Sequence, residues 1–166
     1  MSRGVIRSFP LAYHLCLQSY GSWLPGDPRG WHAHGDGAKT PPRPGVAKLH
    51  ARSLSLQRYP TVVLTGPMIA AILYAVAETS RARGWRFHAA AAVSSHLHAV
   101  LGAPEPGVKV LREIALESAR QVSARGLGDP VGRLWSDGGY FAQIHTVAQL
   151  ERAVAYVTAH RALTFG

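Results

Sequence analysis

The chain has 166 residues, with 18 Lys and Arg against 9 Asp and Glu, which gives a formal net charge of +9 and a pI near 10.4. This length suits one well-buried core and is too short for two domains, and the basic excess favours a polyanionic partner such as nucleic acid. No apolar run is long enough to span a membrane or to form a signal peptide. A single cysteine, Cys16, excludes an internal disulfide and is typical of a reducing compartment. We therefore expect one cytoplasmic domain over residues 1–166 that binds nucleic acid and no membrane.

The first half of the chain predicts a strand, a long loop and a helix. An apolar run predicts the strand over Leu11–Ser19. Residues from about 27 to 60 are rich in Gly, Pro, Arg and His and show little periodicity, which predicts a long basic loop. The helix begins with Thr65 as its cap and ends at Gly84. Its predicted inner side consists of Ile69, Ile72, Leu73 and Val76.

The second half predicts a hairpin, a helix, a short strand and a final helix. A strand over Arg86–Val93 is followed by Ser94 and Ser95, which link it to the strand that carries His96 in the apolar run Val93–Leu101. This order predicts an antiparallel hairpin. A helix follows Pro106 and ends at Gly126. Tyr140–His145 predicts the last strand. The predicted inward residues of the helix between them are Val108, Leu111, Ala115, Ala119 and Val122.

Thr146 opens the final helix with a capping-box pattern, in which its hydroxyl and the side chain of Gln149 satisfy free backbone amides. The predicted buried stripe of this helix is Leu150, Ala153, Val154 and Val157. Without the loop, the elements before this helix follow the β-α-β-β-α-β order of a ferredoxin-like sheet. The sequence therefore predicts an α+β fold with an antiparallel sheet and one extra C-terminal helix.

Two histidines on the second hairpin strand form the first candidate site. Strand side chains alternate between faces, so His96 and His98 point to one side and Leu97 to the other. Two imidazoles roughly 6–7 Å apart along a strand can share one divalent cation. The pair alone is equally compatible with two strand histidines that bind no ligand.

The final helix carries the second candidate. Tyr156 and His160 are one turn apart and share a face, and Gln149 lies two turns earlier on the same side. The helix thus offers a phenol, an imidazole and an amide to the surface on which it packs. A nucleophile and a metal would meet if that surface were the histidine strand. A packing aromatic beside the apolar stripe is the alternative for Tyr156.

Three segments together resemble the single-tyrosine HUH transposases, in particular the REP-associated tyrosine transposases and their insertion-sequence relatives. The segment YGSWLPGDPRGW over residues 20–31 is similar to the N-terminal signature of a large subgroup. VSSHLHAV over 93–100 resembles the HUH strand, in which two histidines flank one hydrophobic residue, and AVAYVTAH over 153–160 resembles the tyrosine helix. The similarity spans most of the chain.

The resemblance implies transposition of single-stranded DNA by nicking and joining. Tyr156 would attack a scissile phosphate and leave a 5′-phosphotyrosyl link and a free 3′-hydroxyl. His96 and His98 would hold Mg²⁺ or Mn²⁺, and imidazole ligands favour manganese over magnesium. Relatives often place Gln or Asn one turn after the tyrosine as a third ligand, where this chain has His160. His160 is therefore a candidate ligand, with contact to a DNA phosphate or to solvent as the alternative.

The basic loop is suited to lie along a phosphate backbone, and tryptophans can stack on unpaired bases. Two arginines of the final helix also stand near enough to Tyr156 in sequence to assist its attack. The DNA-binding candidates are Arg29, Trp31, Arg43, Arg120, Arg152 and Arg161. Family members recognise imperfect hairpins that flank their own genes, so the expected partner is a single-stranded DNA hairpin. Relatives include monomers and dimers, which leaves a homodimer open.

Three other classes of protein fit parts of the pattern. A non-catalytic ferredoxin-like nucleic-acid binder explains the charge but makes the arrangement of His96, His98 and Tyr156 a coincidence. A domesticated HUH nickase with a host role would share the chemistry and differ in its substrate. A small-molecule metalloenzyme fits the histidines but not the high pI.

Overall fold

The computed structural model describes residues 8–33, 36, 40–128 and 132–162, without the side chains of residues 161 and 162. Over these residues the chain forms four strands and four helices, and the predicted α+β class is confirmed. The elements are β1 (Ala12–Gln18), α1 (Ala47–Ser55), α2 (Gly66–Arg83), β2 (Arg86–Val93), β3 (His96–Gly102), α3 (Gly107–Ala124), β4 (Tyr140–Ile144) and α4 (Val147–Ala162). The strands form one antiparallel sheet in the order β2-β3-β1-β4. None of the described helices has the length and apolar composition needed to cross a membrane.

The two faces of the sheet bury different sets of side chains. Along β1, Tyr13, Leu15 and Leu17 lie in the main core with residues of α2 and α3. Alternation places His14 and Cys16 on the opposite face, where α4 packs against β2 and β3. On β3, Leu97, Ala99 and Leu101 belong to the main core, whereas Val100 joins a second cluster with Ala12, Ala89, Ala91, Ile144 and Val157. His96 and His98 therefore lie on the α4 side of the sheet.

The C-terminus of α2 lies where it was predicted, but the predicted side-chain cap at its N-terminus is absent. Gly84 takes the left-handed conformation, with φ of 66°, at the C-terminus of α2. Thr65 occupies the N-terminal position, yet its side chain makes no capping hydrogen bond. The helix is stabilised by packing of its inner side, where Ile72 and Val76 are fully buried and Ile69 and Leu73 partly so.

The buried face of α3 is shifted from the predicted one, since it includes Val110, Ile114 and Ser118, which the prediction left out. Val108 is 53% exposed, whereas Val110 and Ile114 are buried. A serine at the centre of the buried face obscured the pattern. Ser118 is fully buried. Its polar hydroxyl tolerates this burial because it donates to the carbonyl of Ile114 at 2.6 Å and accepts from Trp135 Nε1 at 2.9 Å.

The segment from residue 27 to 60, predicted to be a loop, contains the short helix α1. None of the residues of α1 is buried, so the helix lies outside the main core. Among the described residues before α1, Trp31 and Arg43 exchange two backbone hydrogen bonds of 3.1 and 2.8 Å. Gly26 permits the close approach of α1, because a Cβ there would lie 2.4 Å from the backbone nitrogen of His50.

The capping box predicted for α4 is present. The Gln149 backbone amide donates to Thr146 Oγ1 at 3.2 Å. The Gln149 side-chain oxygen accepts from the amides of His145 and Thr146 at 2.8 and 3.1 Å, so its amide group caps the helix instead of facing the strand. Val157 is fully buried, and Leu150, Ala153 and Val154 pack beside it as predicted. This packing fixes the rotation of α4 and places Tyr156 and His160 beside β3.

Candidate metal and tyrosine site

Three histidines from β3 and α4 meet on the face of the sheet that α4 covers. One ring nitrogen from each of His96, His98 and His160 lies within 4.8 Å of those of the other two. The ring centroids are 4.8 Å apart for His96 and His98, 5.7 Å for His96 and His160, and 5.0 Å for His98 and His160. The alternation of β3 and the helical turn of α4 thus bring together the three predicted ligands.

Hydrogen bonds at Nδ1 orient these rings. His160 Nδ1 donates to the backbone carbonyl of Tyr156 at 3.2 Å, which leaves Nε2 as its lone-pair nitrogen. His96 Nδ1 lies 3.0 Å from Ser95 Oγ. His98 Nδ1 lies 3.2 Å from Nε2 of His14. All three Nδ1 atoms are engaged, so Nε2 is the atom suited to bind a metal in each ring.

Burial keeps the central imidazoles uncharged. Burial and the neighbouring His96, His14 and His160 rings lower the pKa of His98 to about 3. Burial, His160 and Arg29 also lower the pKa of His96. A metal ligand must be the neutral imidazole, and these rings are neutral at physiological pH. The donor set therefore fits a divalent cation, and its all-nitrogen composition favours manganese or later metals over magnesium.

Tyr156 stands beside this cluster and reaches solvent. Its ring centroid is 4.5 Å from that of His160 and 5.4 Å from that of His98. The side chain is 49% exposed, which differs from the deep burial of a core aromatic. A phenol at this position is accessible to a polymeric substrate that also contacts the histidines.

His14 is a fourth histidine of the site, and the sequence did not single it out. It lies on β1, where Cys16 pairs with His98 in the antiparallel register. Its ring centroid is 5.1 Å from His98 and 5.7 Å from Tyr156. The alternation of β1 indicates its face, but only the pairing of β1 with β3 shows that this face is shared with the other histidines.

Arg29 lies at the edge of the cluster and is held in a fixed position. Its guanidinium donates to Asp27 at 2.9 and 2.7 Å and to the carbonyl of Ser22 at 2.5 Å, and it covers the Trp23 ring at 4.9 Å. The hydrogen bond from Arg29 lowers the pKa of the buried Asp27 to about 2. Arg29 also lowers the pKa of His96, so its charge is felt at the cluster. Its side chain is 54% exposed, so its guanidinium is accessible to an anion.

The other predicted DNA contacts are distributed over the chain. Arg43 covers the Trp31 ring at 5.3 Å and pairs with Asp36 at 3.1 Å. Arg120 lies on α3, across the sheet from the histidines, and pairs with Glu117 at 2.7 Å. Two arginines belong to the tyrosine helix. Arg152 is exposed one turn before Tyr156, and the side chain of Arg161 lies outside the described residues.

Comparison with known proteins gives two solved structures of similar fold. A REP-associated tyrosine transposase bound to a REP hairpin matches with a TM-score of 0.50 and 14% identity, over 95% of this chain and 70% of that one. A predicted transposase of Deinococcus radiodurans matches with a TM-score of 0.52 and 16% identity, over 97% of this chain and 98% of that one. No protein-family model and no curated protein matches the chain. The resemblance to tyrosine transposases is thus confirmed at the level of the fold, which both of these proteins share with the chain.

Proposed function

We propose that the protein is a single-tyrosine HUH transposase that nicks and rejoins single-stranded DNA. The observation that carries the proposal is the position of Tyr156, half exposed and 5.4 Å by ring centroid from His98 of a three-histidine cluster. The fold shared with two transposases and the net charge of +9 support a DNA substrate. Tyr156 and the three histidines come from one chain, so the proposal requires no exchange of helices between copies. A homodimer stays a prediction.

In the proposed reaction, the histidines and Arg29 bind the cation and the phosphate, and Tyr156 attacks the phosphorus. His96, His98 and His160 would hold Mn²⁺ or Mg²⁺ through their Nε2 atoms. When bound, the cation supplies a Lewis acid that polarises and orients the scissile phosphate. Arg29 contributes a second positive charge at the edge of the cluster, where it can pair with a phosphate oxygen.

Tyr156 is the proposed nucleophile. Its phenolic oxygen forms a bond to the phosphorus while the bond from phosphorus to the 3′ oxygen breaks. The phenol loses its proton and the departing 3′ oxygen gains one, which leaves a 5′-phosphotyrosyl link and a free 3′-hydroxyl. A later 3′-hydroxyl reverses the exchange and joins the strands. Each step replaces one phosphodiester by another, so the reaction needs no nucleotide as an energy source.

The proposed substrate is a hairpin in single-stranded DNA that flanks the gene of the protein. The family resemblance implies such hairpins, and one solved structure of similar fold is bound to a REP hairpin. Arg29, whose charge acts on His96, and Arg152, one helical turn before Tyr156, would contact the strand near the scissile phosphate. Arg120, on the far side of the sheet, would contact a different part of the DNA. The reaction would take place in the cytoplasm, the reducing compartment that a chain with a single cysteine suits.

A denaturing gel tests the proposal. The protein is incubated with Mn²⁺ and labelled single-stranded DNA from either side of its gene, beside the variants Tyr156→Phe and Tyr74→Phe. Tyr74 is the matched control, since it also lies on a helix and is also 49% exposed. We expect a slowly migrating covalent adduct with the wild type and with Tyr74→Phe, and none with Tyr156→Phe or with a chelator.

Other results would contradict the proposal in different ways. An adduct formed by Tyr156→Phe would exclude this tyrosine as the nucleophile. Tight DNA binding without any adduct would indicate the non-catalytic nucleic-acid binder. A domesticated nickase would form the same adduct, but with a strand that is not an end of its own mobile element.

A further inference from the structure

His14 contacts both halves of the candidate site, the metal ligands and the tyrosine. Its Nε2 lies 3.2 Å from Nδ1 of His98. Its ring also meets that of Tyr156 edge to face, with centroids 5.7 Å apart and planes at 62°. Among the described residues it is not a member of the three-histidine group whose ring nitrogens converge. A contribution of His14 to the site therefore acts through its two neighbours.

The hydrogen bond between the two rings has a direction that metal binding would fix. A histidine that binds a metal through Nε2 carries its proton on Nδ1 and needs an acceptor for it. His160 finds that acceptor in the carbonyl of Tyr156, and His96 finds one in Ser95 Oγ. For His98, the atom in that position is Nε2 of His14. His14 must then be the tautomer with its own proton on Nδ1.

We infer that His14 is a positioning residue whose Nε2 accepts the Nδ1 proton of His98, holding that ring so that its Nε2 is free to bind a divalent cation. The inference rests on the proposed function for the use of the cation, but it concerns metal binding itself, which is measurable without DNA. β1 pairs with β3 through Cys16 and His98, so the backbone fixes the distance between the two rings.

Titration calorimetry with Mn²⁺ on DNA-free protein tests the inference through paired variants. His14→Leu keeps the volume and removes the acceptor. His14→Gln keeps an acceptor, because its amide oxygen is as many bonds from Cβ as the histidine Nε2. Loss of such an acceptor weakens metal binding by roughly 10- to 100-fold, and we expect that loss for His14→Leu. We expect His14→Gln to regain most of the affinity.

His88→Leu is the matched control, since it removes a partly buried histidine of β2 that lies outside the three-histidine group. It should bind Mn²⁺ as the wild type does. Unchanged affinity in His14→Leu would overturn the inference. Equal weakening in His14→Leu and His14→Gln would also overturn it, because it would show a packing role without a hydrogen bond. A wild type that binds no Mn²⁺ would overturn both this inference and the metal chemistry of the proposed function.

A second measurement needs no variant. Imidazole ¹⁵N chemical shifts of the wild type loaded with a diamagnetic divalent cation such as Zn²⁺ report which nitrogen of each ring carries the proton. We expect His98 to be protonated at Nδ1 and His14 at Nδ1. A His98 ring protonated at Nε2 would refute the inference. If these tests give the expected results while no DNA forms an adduct, the proposed nicking reaction is refuted and the role of His14 at the metal site is supported.

Discussion

Acid is expected to destabilise the metal-free protein through His98. This side chain is 8% exposed, and burial together with the surrounding His96, His14 and His160 rings lowers its pKa from 6.5 to about 3. In the unfolded chain the ring returns to its ordinary pKa. Between the two values the unfolded chain therefore binds one proton that the folded protein does not.

The sign and size of the effect follow from this difference in proton binding. A histidine with a lowered pKa stabilises the fold fully above the unfolded pKa of 6.5, and that stability is lost as the pH falls towards about 3. Each pH unit below the unfolded pKa costs about 1.4 kcal/mol. At a pH of about 5, His98 alone should lower the free energy of unfolding by about 2 kcal/mol relative to a pH of about 7.5.

Urea unfolding in the presence of a chelator measures the effect for the wild type and for His98→Gln. The free energy of unfolding of the wild type should fall by about 2 kcal/mol more than that of the variant between the two pH values. Ile72→Val is the control for destabilisation without titration. It trims a fully buried residue on the other side of the sheet and should cost about 1 kcal/mol at both pH values. A His98→Gln variant that loses as much stability in acid as the wild type would refute the assignment of the effect to His98.

Two further predictions concern the elements that position the site. Gln149→Ala removes the acceptor that caps α4 and should lower the free energy of unfolding by about 1 kcal/mol, as measured by urea unfolding, whereas Gln149→Glu should preserve the cap. Gly107→Ala would place a Cβ 2.5 Å from the Phe141 ring and 2.8 Å from that of Tyr13, and should cost about 1–3 kcal/mol in the same assay. Gly66→Ala, with nothing within 4 Å of the new Cβ, is its control and should not lower stability. Equal stability of the two alanine variants would contradict the packing at Gly107.

The sequence predicted those parts of the site that depend on local geometry. His96 and His98 share a face because strand side chains alternate, and Tyr156 and His160 share a face because a helical turn separates them. Neither relation depends on the rest of the chain. The capping box of α4 is equally local, which is why its prediction was confirmed at the level of individual hydrogen bonds.

The remaining features depend on contacts between distant segments. His14 joins the site only because β1 pairs with β3, more than 80 residues later, and a single sequence does not specify that register. Arg120 illustrates the same limit, since the pattern of α3 shows which side of the helix is buried but not which face of the sheet it covers. α1 was missed for a different reason, because its nine residues lie in a segment whose Gly, Pro, Arg and His content predicted a loop.

The ligand set of the site and the basic charge of the chain favour the same kind of substrate, an anion. In the described part of the chain, the converging ligand group consists of histidines alone. Neutral imidazoles leave the charge of a divalent cation uncompensated, whereas carboxylate ligands would cancel much of it. With a cation bound, such a site would attract an anion strongly, and the net charge of +9 favours a polyanion such as the proposed DNA substrate. Burial on the α4 face, which lowers the pKa of His96 and holds that of His98 near 3, keeps these two ligands neutral in these surroundings.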